Sequence, residues 1–574
     1  MAHTNWNDVE TGRRAQFIAD IVKESLFDYS FDSYKIPSLN LHFFCLDYMS
    51  TYSLVKKGIM EKGNLIPLNE EFEYILTNSL WLPDGISLSM CSFRNKFGEY
   101  QDCMKDQNLD ELKKGEYYND CANYITAFLA GKSDYSELLL LQIEKLLRGT
   151  QFDIKEQETM QFCVREYLCE LVNIGINKNY IYNLSEQKLF SAATSQDDIK
   201  YIMDFLRKLE PSTREYNVVF GVTDAAQSDL GSIIKKMRPS TDKEKQFLGT
   251  KYVLETKIED YDPYSAIEKA KNYFLVVVCG YNCFVHNEEI KIVENGFAKL
   301  QSEKKYRKVK TPTPAMKKNT VKTKNESINL LQSVLTASLP EALISSFELH
   351  NIAVNSENME TQLLMLWTIL ELLIETNQGT MSKVNYVTNV VSSILCNNYY
   401  MHITKGILSQ ITKNHSIIDV IEKETRGKNQ TEKLLFILKD NTVLQQEIIS
   451  KLEHFPLEVF KIKKYLGVFS SANNIKNDLR RHSKRLRWQL MRIYRNRCMI
   501  VHDGSHMPYI ENILENLHFY VDDLLEFMIT CIGEGIKDPD AMLSSARIKE
   551  KRKLDILGDK AKVLTNEEYL QVLL

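Results

Sequence analysis

The chain has 574 residues, too many for one hydrophobic core, so two or three domains are expected. Its composition, 44% hydrophobic and 26% charged, is ordinary for a globular protein and excludes a fibre or a largely disordered chain. A net charge of −4 excludes a globally basic nucleic-acid binder, so any contact with nucleic acid must come from local patches.

The opening MAHTNWNDVETGRRAQ has no apolar core of the signal-peptide kind. The longest apolar runs are 363–374, interrupted by Thr368 and Glu371, and 273–279. Both fall short of the ~20 residues that a membrane helix needs. A cytoplasmic protein with no membrane partner is the expectation. The eleven cysteines form no CxxC pair and are scattered through hydrophobic segments, a pattern of reduced thiols rather than of a disulfide frame or a zinc site.

In chain order, residues 1–215 read as a helical N-terminal domain with a possible sensing or regulatory role. Apolar positions recur at helical spacing in 136–147 (SELLLLQIEKLL) and 162–174 (FCVREYLCELVNI), and turns such as 82–85 (LPDG) punctuate the region. From about 216 the texture changes. The β-branched segments 217–222 (NVVFGV) and 252–258 (YVLETKI) read as strands, and Asp262-Pro263 opens a helix over 264–278. Residues 216–302 thus form a small α/β section.

Residues 303–324 (EKKYRKVKTPTPAMKKNTVKTK) carry nine lysines or arginines and two prolines. They predict a basic linker or loop over 303–325, whose cations are of the kind that attract RNA phosphate. Helical periodicity returns in 326–337, 360–375, 384–396, 431–438, 479–501 and 509–532. Residues 326–540 therefore predict a bundle of four or five helices, and 541–574 a C-terminal helical tail. The fold class expected is mainly α, with a small α/β section ahead of the C-terminal bundle.

The segment that carries chemistry is 479–504, LRRHSKRLRWQLMRIYRNRCMIVHDG. Its apolar stripe includes Leu486, Leu490, Ile493, Tyr494 and Val501, and the spacing puts Arg497 on the same, inward face. A charge there needs an anionic partner or ligand. His502 falls where Asp503-Gly504 should end the helix. On an ideal helix Arg497 and His502 lie about 140° apart, so they serve one site only if the last turn is irregular or two copies share it.

Arg497 and His502 fit an R-x(4)-H pattern, and this segment resembles the motif helix of HEPN domains, a family of helical bundles. Arg495 with Asn496 satisfies a looser R-N-x(5)-H spacing and competes with Arg497 for the motif arginine. Cys498 stands where many members have a polar residue. The stretch 345–374 (SSFELHNIAVNSENMETQLLMLWTILELLI) resembles the early helices of the same family, which puts Glu371 opposite the motif helix as partner for Arg497.

The resemblance spans about residues 340–535 and implies metal-independent endoribonuclease activity with no cofactor. The RNA 2′-hydroxyl would attack its neighbouring phosphate and leave a 2′,3′-cyclic end, with Arg497 and His502 catalytic and Glu371, Arg495, Asn496 and Asp503 supporting. Imidazole titrates near neutrality and suits the proton transfers, while guanidinium suits phosphorane charge. Lys484, Arg485, Arg487 and Arg492 would follow the RNA backbone. No second arginine stands four to six residues before any of the eleven histidines, so the implied partner is a second copy, in a homodimer or higher oligomer. Large prokaryotic members of this layout suggest antiphage defence by abortive infection or a toxin role, acting on tRNA or mRNA under an inhibitor or a phage-derived trigger. The alternative is a non-catalytic bundle that binds RNA or protein.

Three other signals are weak. Gly131-Lys132-Ser133 imitates the end of a phosphate-binding loop, but Thr126 occupies the first glycine position. His502 and His506 have metal-ligand spacing, yet Gly504 and Pro508 argue against a continuous helix there. Glu255-Thr256-Lys257 imitates half of a metal-dependent nuclease core, with Asp224 or Asp229 as the missing acid, although a surface strand of alternating charge explains it as well.

Overall fold

The computed structural model describes residues 6, 10–26, 37–77, 110–132, 135–190, 197–222, 237–282, 292–310, 339–356, 358–374, 382–505, 507–558 and 563–574. It is mainly α, with one small antiparallel sheet. The chain divides into two compact units, one of residues 6–169 with 315–574 and the other of 170–314. Residues 6–169 thus share a compact unit with residues 315–574, and 170–215 fall in the other.

In the larger unit the early helices are α1 (Glu10–Ser25), α2 (Leu41–Lys56), α3 (Leu65–Thr77), α4 (Glu111–Lys132), α5 (Tyr135–Leu147) and α6 (Ile154–Ile174). Asn40 caps α2 by accepting from the Phe43 amide, as an Asx side chain does for the unpaired first-turn donors. Phe44, Tyr48, Phe72 and Tyr118 pack edge-on or tilted at 5.2–6.5 Å and tie α2 to α3 and α4. Phe17 of α1 meets Phe460 at 5.5 Å, far along the chain.

The smaller unit holds α7 (Lys178–Leu189), α8 (Asp198–Lys208), α9 (Asp242–Leu248) and α10 (Pro263–Asn282), with β1 (Arg214–Val222), β2 (Met237–Pro239), β3 (Tyr252–Asp260), β4 (Ile292–Leu300) and β5 (Arg307–Val309). The strand order is β2-β3-β1-β4-β5, with every pair antiparallel. The expected strands and the helix after Asp262-Pro263 are all present. Val218, Phe220 and Val222 alternate with Val219 along β1, so one face packs on Ile267, Ala270 and Phe274 of α10 while the other covers Val253 and Phe297. The start of the expected linker is instead an edge strand: β5 pairs with β4 through Ala298 and Arg307. Residues 311–325 of that linker, and the helix expected over 326–337, lie outside the described residues.

The C-terminal helices are α11 (Glu341–Asn355), α12 (Met359–Leu373), α13 (Lys383–Ile411), α14 (His415–Glu422), α15 (Gln430–Asp440), α16 (Thr442–Lys451), α17 (Pro456–Phe469), α18 (Ala472–Asp503), α19 (Ile510–Gly533), α20 (Pro539–Leu557) and α21 (Asn566–Leu573). This is a larger assembly than the four or five helices expected. Short helices such as α14 and α16 carry too few turns to show a clear period in sequence. No helix of the described residues is long and apolar enough to cross a membrane.

The centre of the assembly is α18, 32 residues long, capped by Ser471 and ended by Gly504 in the left-handed region at φ 61°. It packs against α3, α12, α13, α17, α19 and α20. From Trp488 to Met499 only Tyr494 and Arg497 escape full burial. This stretch is thus covered on several sides rather than along one stripe.

Candidate active site

The motif segment occupies the last turns of α18. Arg497 is half-buried and lies beside the thiol of Cys498. Burial pushes the Cys498 thiol upward, while the Tyr494 hydroxyl and Arg497 pull it the other way. Across from them, Trp367 of α12 sits 5.5 Å from the Tyr494 ring. Its indole Nε1 donates to Glu371 Oε1 at 2.8 Å. The Glu371 carboxylate is close enough to raise the Cys498 thiol further.

The expected neighbourhood of Trp367, Glu371 and the motif helix is therefore present, but the expected pair is not. Glu371 is engaged by the indole, and among the described residues Arg497 makes no ion pair. Half exposure explains how this is tolerated, because water still solvates the guanidinium and the cost of an unpaired buried charge does not arise.

His502 is exposed on the final turn, next to exposed Val501 and Asp503. The helix stays regular through Asp503, and Gly504 closes it with an amide donating to the Ile500 carbonyl at 3.2 Å. This removes the irregular last turn as a way to bring Arg497 and His502 together. On one regular helix their side chains diverge by about 140°. A single copy therefore does not present both side chains on one face of the helix.

Three neighbours that the sequence suggested for the site are committed to the fold. Arg495 is 1% exposed and donates to Asp47 Oδ2 at 2.8 Å, with Asp47 itself 2% exposed. Arg492 is buried and places one guanidinium nitrogen 2.7 Å from both oxygens of Glu71, while its other amino group reaches Gln489 at 2.6 Å. Burial opposes the charge on Arg492, but Glu71 and then Asp47 hold its guanidinium above the ordinary range. Asn496 donates to the Arg492 carbonyl at 3.1 Å and to the Tyr509 hydroxyl at 3.3 Å, and accepts from the Met507 amide at 3.2 Å. The Tyr509 hydroxyl donates to Asp47, and burial followed by that carboxylate drives it well upward.

Arg492 is thus not on an RNA-facing surface, and Arg495 is not the available motif arginine. Both are neutralised by carboxylates of α3 and α2. Sequence reading missed Asp47, Glu71 and Tyr509 as partners. Asp47 did leave a signal: it is the lone carboxylate of α2, set among buried Phe43, Phe44, Cys45 and Tyr48, where only a cationic partner would hold a charge. Of the remaining predicted RNA contacts, Lys484, Arg485 and Arg487 are all exposed.

The nuclease-like strand proves to be a charged sheet surface. Glu255 accepts from Arg238 Nε at 2.9 Å and from the Tyr306 hydroxyl at 2.8 Å, and Lys257 pairs with Glu215 at 3.3 Å. Asp224, Asp229 and His506 lie outside the described residues, as does Ser133 of the loop-like GKS string. Among the described residues no group of three or more His, Cys, Asp or Glu side chains is arranged to hold a metal ion. No known family model, curated protein or solved structure matches this chain.

Proposed function

We propose that the protein is a metal-independent endoribonuclease of HEPN type whose active site forms between two copies of the chain. The observation that carries this reading is the pairing of half-buried Arg497 with exposed His502 on the last turns of one regular helix, beside Trp367 and Glu371. Both motif side chains escape the internal ion pairs that consume Arg492 and Arg495. Exposed Val501, 49% accessible beside His502, gives the same turn an apolar contact for a second copy.

In the proposed reaction the RNA 2′-oxygen attacks the adjacent phosphorus and forms the 2′,3′-cyclic ester. His502 exchanges protons with the attacking and leaving oxygens, and the 5′-oxygen departs as a hydroxyl. Arg497 of the other copy neutralises the charge that builds on the non-bridging oxygens. A role in antiphage defence, held in check until a trigger arrives, would suit such an activity.

A second reading is a non-catalytic bundle that binds RNA or protein. It is favoured by the buried network of Arg492, Arg495, Asn496, Asp47 and Tyr509, which spends much of the motif helix on folding. The two readings separate when wild type, Arg497→Ala and His502→Ala are incubated with total RNA and with tRNA, with and without EDTA. Cleavage that survives EDTA and disappears in both variants supports the ribonuclease. A strict monomer by sedimentation, or cleavage unchanged in His502→Ala, would overturn it.

A further inference from the structure

Between α3, α13 and α18 lies an open groove of about 260 Å³. Lys484 and Arg487 stand one helical turn apart on α18 along one wall, both exposed, and among the described residues neither makes an ion pair. Trp488 forms part of the lining, and its ring leans on Tyr74 at 5.4 Å. Asn385 and Asn389 of α13 line another side, and the exposed carboxylate of Glu70 a third.

These groups divide by chemistry. Two unneutralised cations suit a phosphate diester. A side-chain amide such as that of Asn385 can both donate to and accept from the edge of an unstacked base. Glu70 adds an acceptor able to take a ribose hydroxyl or an exocyclic amino group. On an ideal helix Lys484 and His502 are eighteen residues, five full turns, apart, which places them at the same azimuth and about 27 Å apart along the axis. A strand engaging both ends of this path must span several nucleotides.

We propose that this groove holds one nucleotide of a single-stranded RNA, with its phosphate on Lys484 and Arg487 and its base toward Asn385, as an anchor remote from Arg497 and His502. The choice of RNA as the ligand rests on the proposed ribonuclease reading, but the anchor is tested by binding alone. Labelled single-stranded RNA of twelve nucleotides is titrated against the full-length chain carrying His502→Ala, so that no cleavage intervenes. Adding Lys484→Gln with Arg487→Gln should weaken binding about tenfold and flatten the salt dependence by roughly 0.7 in log–log slope, the value for one lost phosphate contact on a single strand. Asn385→Ala should weaken binding with the salt slope unchanged. Lys405→Gln with Lys428→Gln removes the same charge from exposed sites outside the groove and should leave affinity within about twofold.

Competition with AMP and with unlabelled strand then separates a free-nucleotide site from a strand site. Displacement by AMP supports the groove as a nucleotide site. Equal affinity of the groove and control variants would overturn the anchor, as would displacement by polyglutamate but not by AMP. Wild-type cleavage scored separately distinguishes this failure from failure of the ribonuclease reading.

Discussion

Arg495 and Asp47, 448 positions apart in sequence, form one ion pair at 2.8 Å in which both side chains are almost wholly inaccessible to water. With the Arg492–Glu71 pair it welds α2 and α3 to the motif helix. Removing one partner leaves the other charge buried and alone. Arg495→Ala and Asp47→Ala should each cost about 3–5 kcal/mol of stability. Urea unfolding of the two variants checks this, and a loss under 1 kcal/mol would show that the pair is not buried as described.

A shared site has a signature that a single-copy site lacks. Arg497→Ala and His502→Ala should each be inactive alone, yet a mixture unfolded and refolded together should regain roughly a quarter of wild-type activity, since half the dimers carry one intact site of two. A mixture as inactive as its components would place both residues in the same copy's site.

His482 is buried on α18, and its ring stacks on Tyr399 at 3.8 Å with planes 15° apart. Burial, with help from Arg485, lowers it from 6.5 to about 3. Between those values the unfolded chain binds a proton that the folded chain refuses. Its contribution is therefore complete above pH 6.5 and is lost as pH falls toward 3. His482→Phe keeps a ring on Tyr399 but cannot titrate, so chemical-denaturation midpoints measured from pH 7 to 4 should decline less steeply than in wild type.

Glu255 is expected to matter for the sheet and not for catalysis. Arg238 bridges it to Glu244, and those hydrogen bonds with Arg238 hold Glu244 down to about 2. Glu255→Ala should leave RNA cleavage unchanged with or without EDTA. Loss of an EDTA-sensitive cleavage in this variant would restore the metal-dependent reading of β3.

Gly296 of β4 lies where the sheet approaches α10. A Cβ there would meet Ile267 Cδ1 at 2.9 Å and the Val219 carbonyl oxygen at 3.1 Å. Ile267 can turn aside, but a paired strand carbonyl has little freedom. Gly296→Ala should cost about 1–3 kcal/mol, read as a lowered thermal midpoint of the full chain.

Much of the fold was legible because local rules write it. The 2-residue alternation of β1 and β3, the Asp262-Pro263 start of α10 and the Gly504 stop of α18 all act over a few residues. The motif segment was legible for the same reason. Its partners were not. Periodicity assigned α18 one apolar face, and the resemblance placed Arg492 along the RNA backbone and Arg495 as a rival motif arginine, whereas the helix is covered on several sides and both arginines are buried.

The sequence by itself determined that the chain is mainly helical, that one long basic helix ends at Asp503-Gly504, and that Arg497 and His502 diverge on it. Only the tertiary structure decided which cations of that helix remain available. Burial depends on what arrives from elsewhere in the chain, and Asp47 and Glu71 arrive from more than 400 residues away. No local spacing encodes so distant a partner. Helix geometry fixes the direction of a side chain, but the choice between solvent, carboxylate and substrate is made by the element that packs across from it.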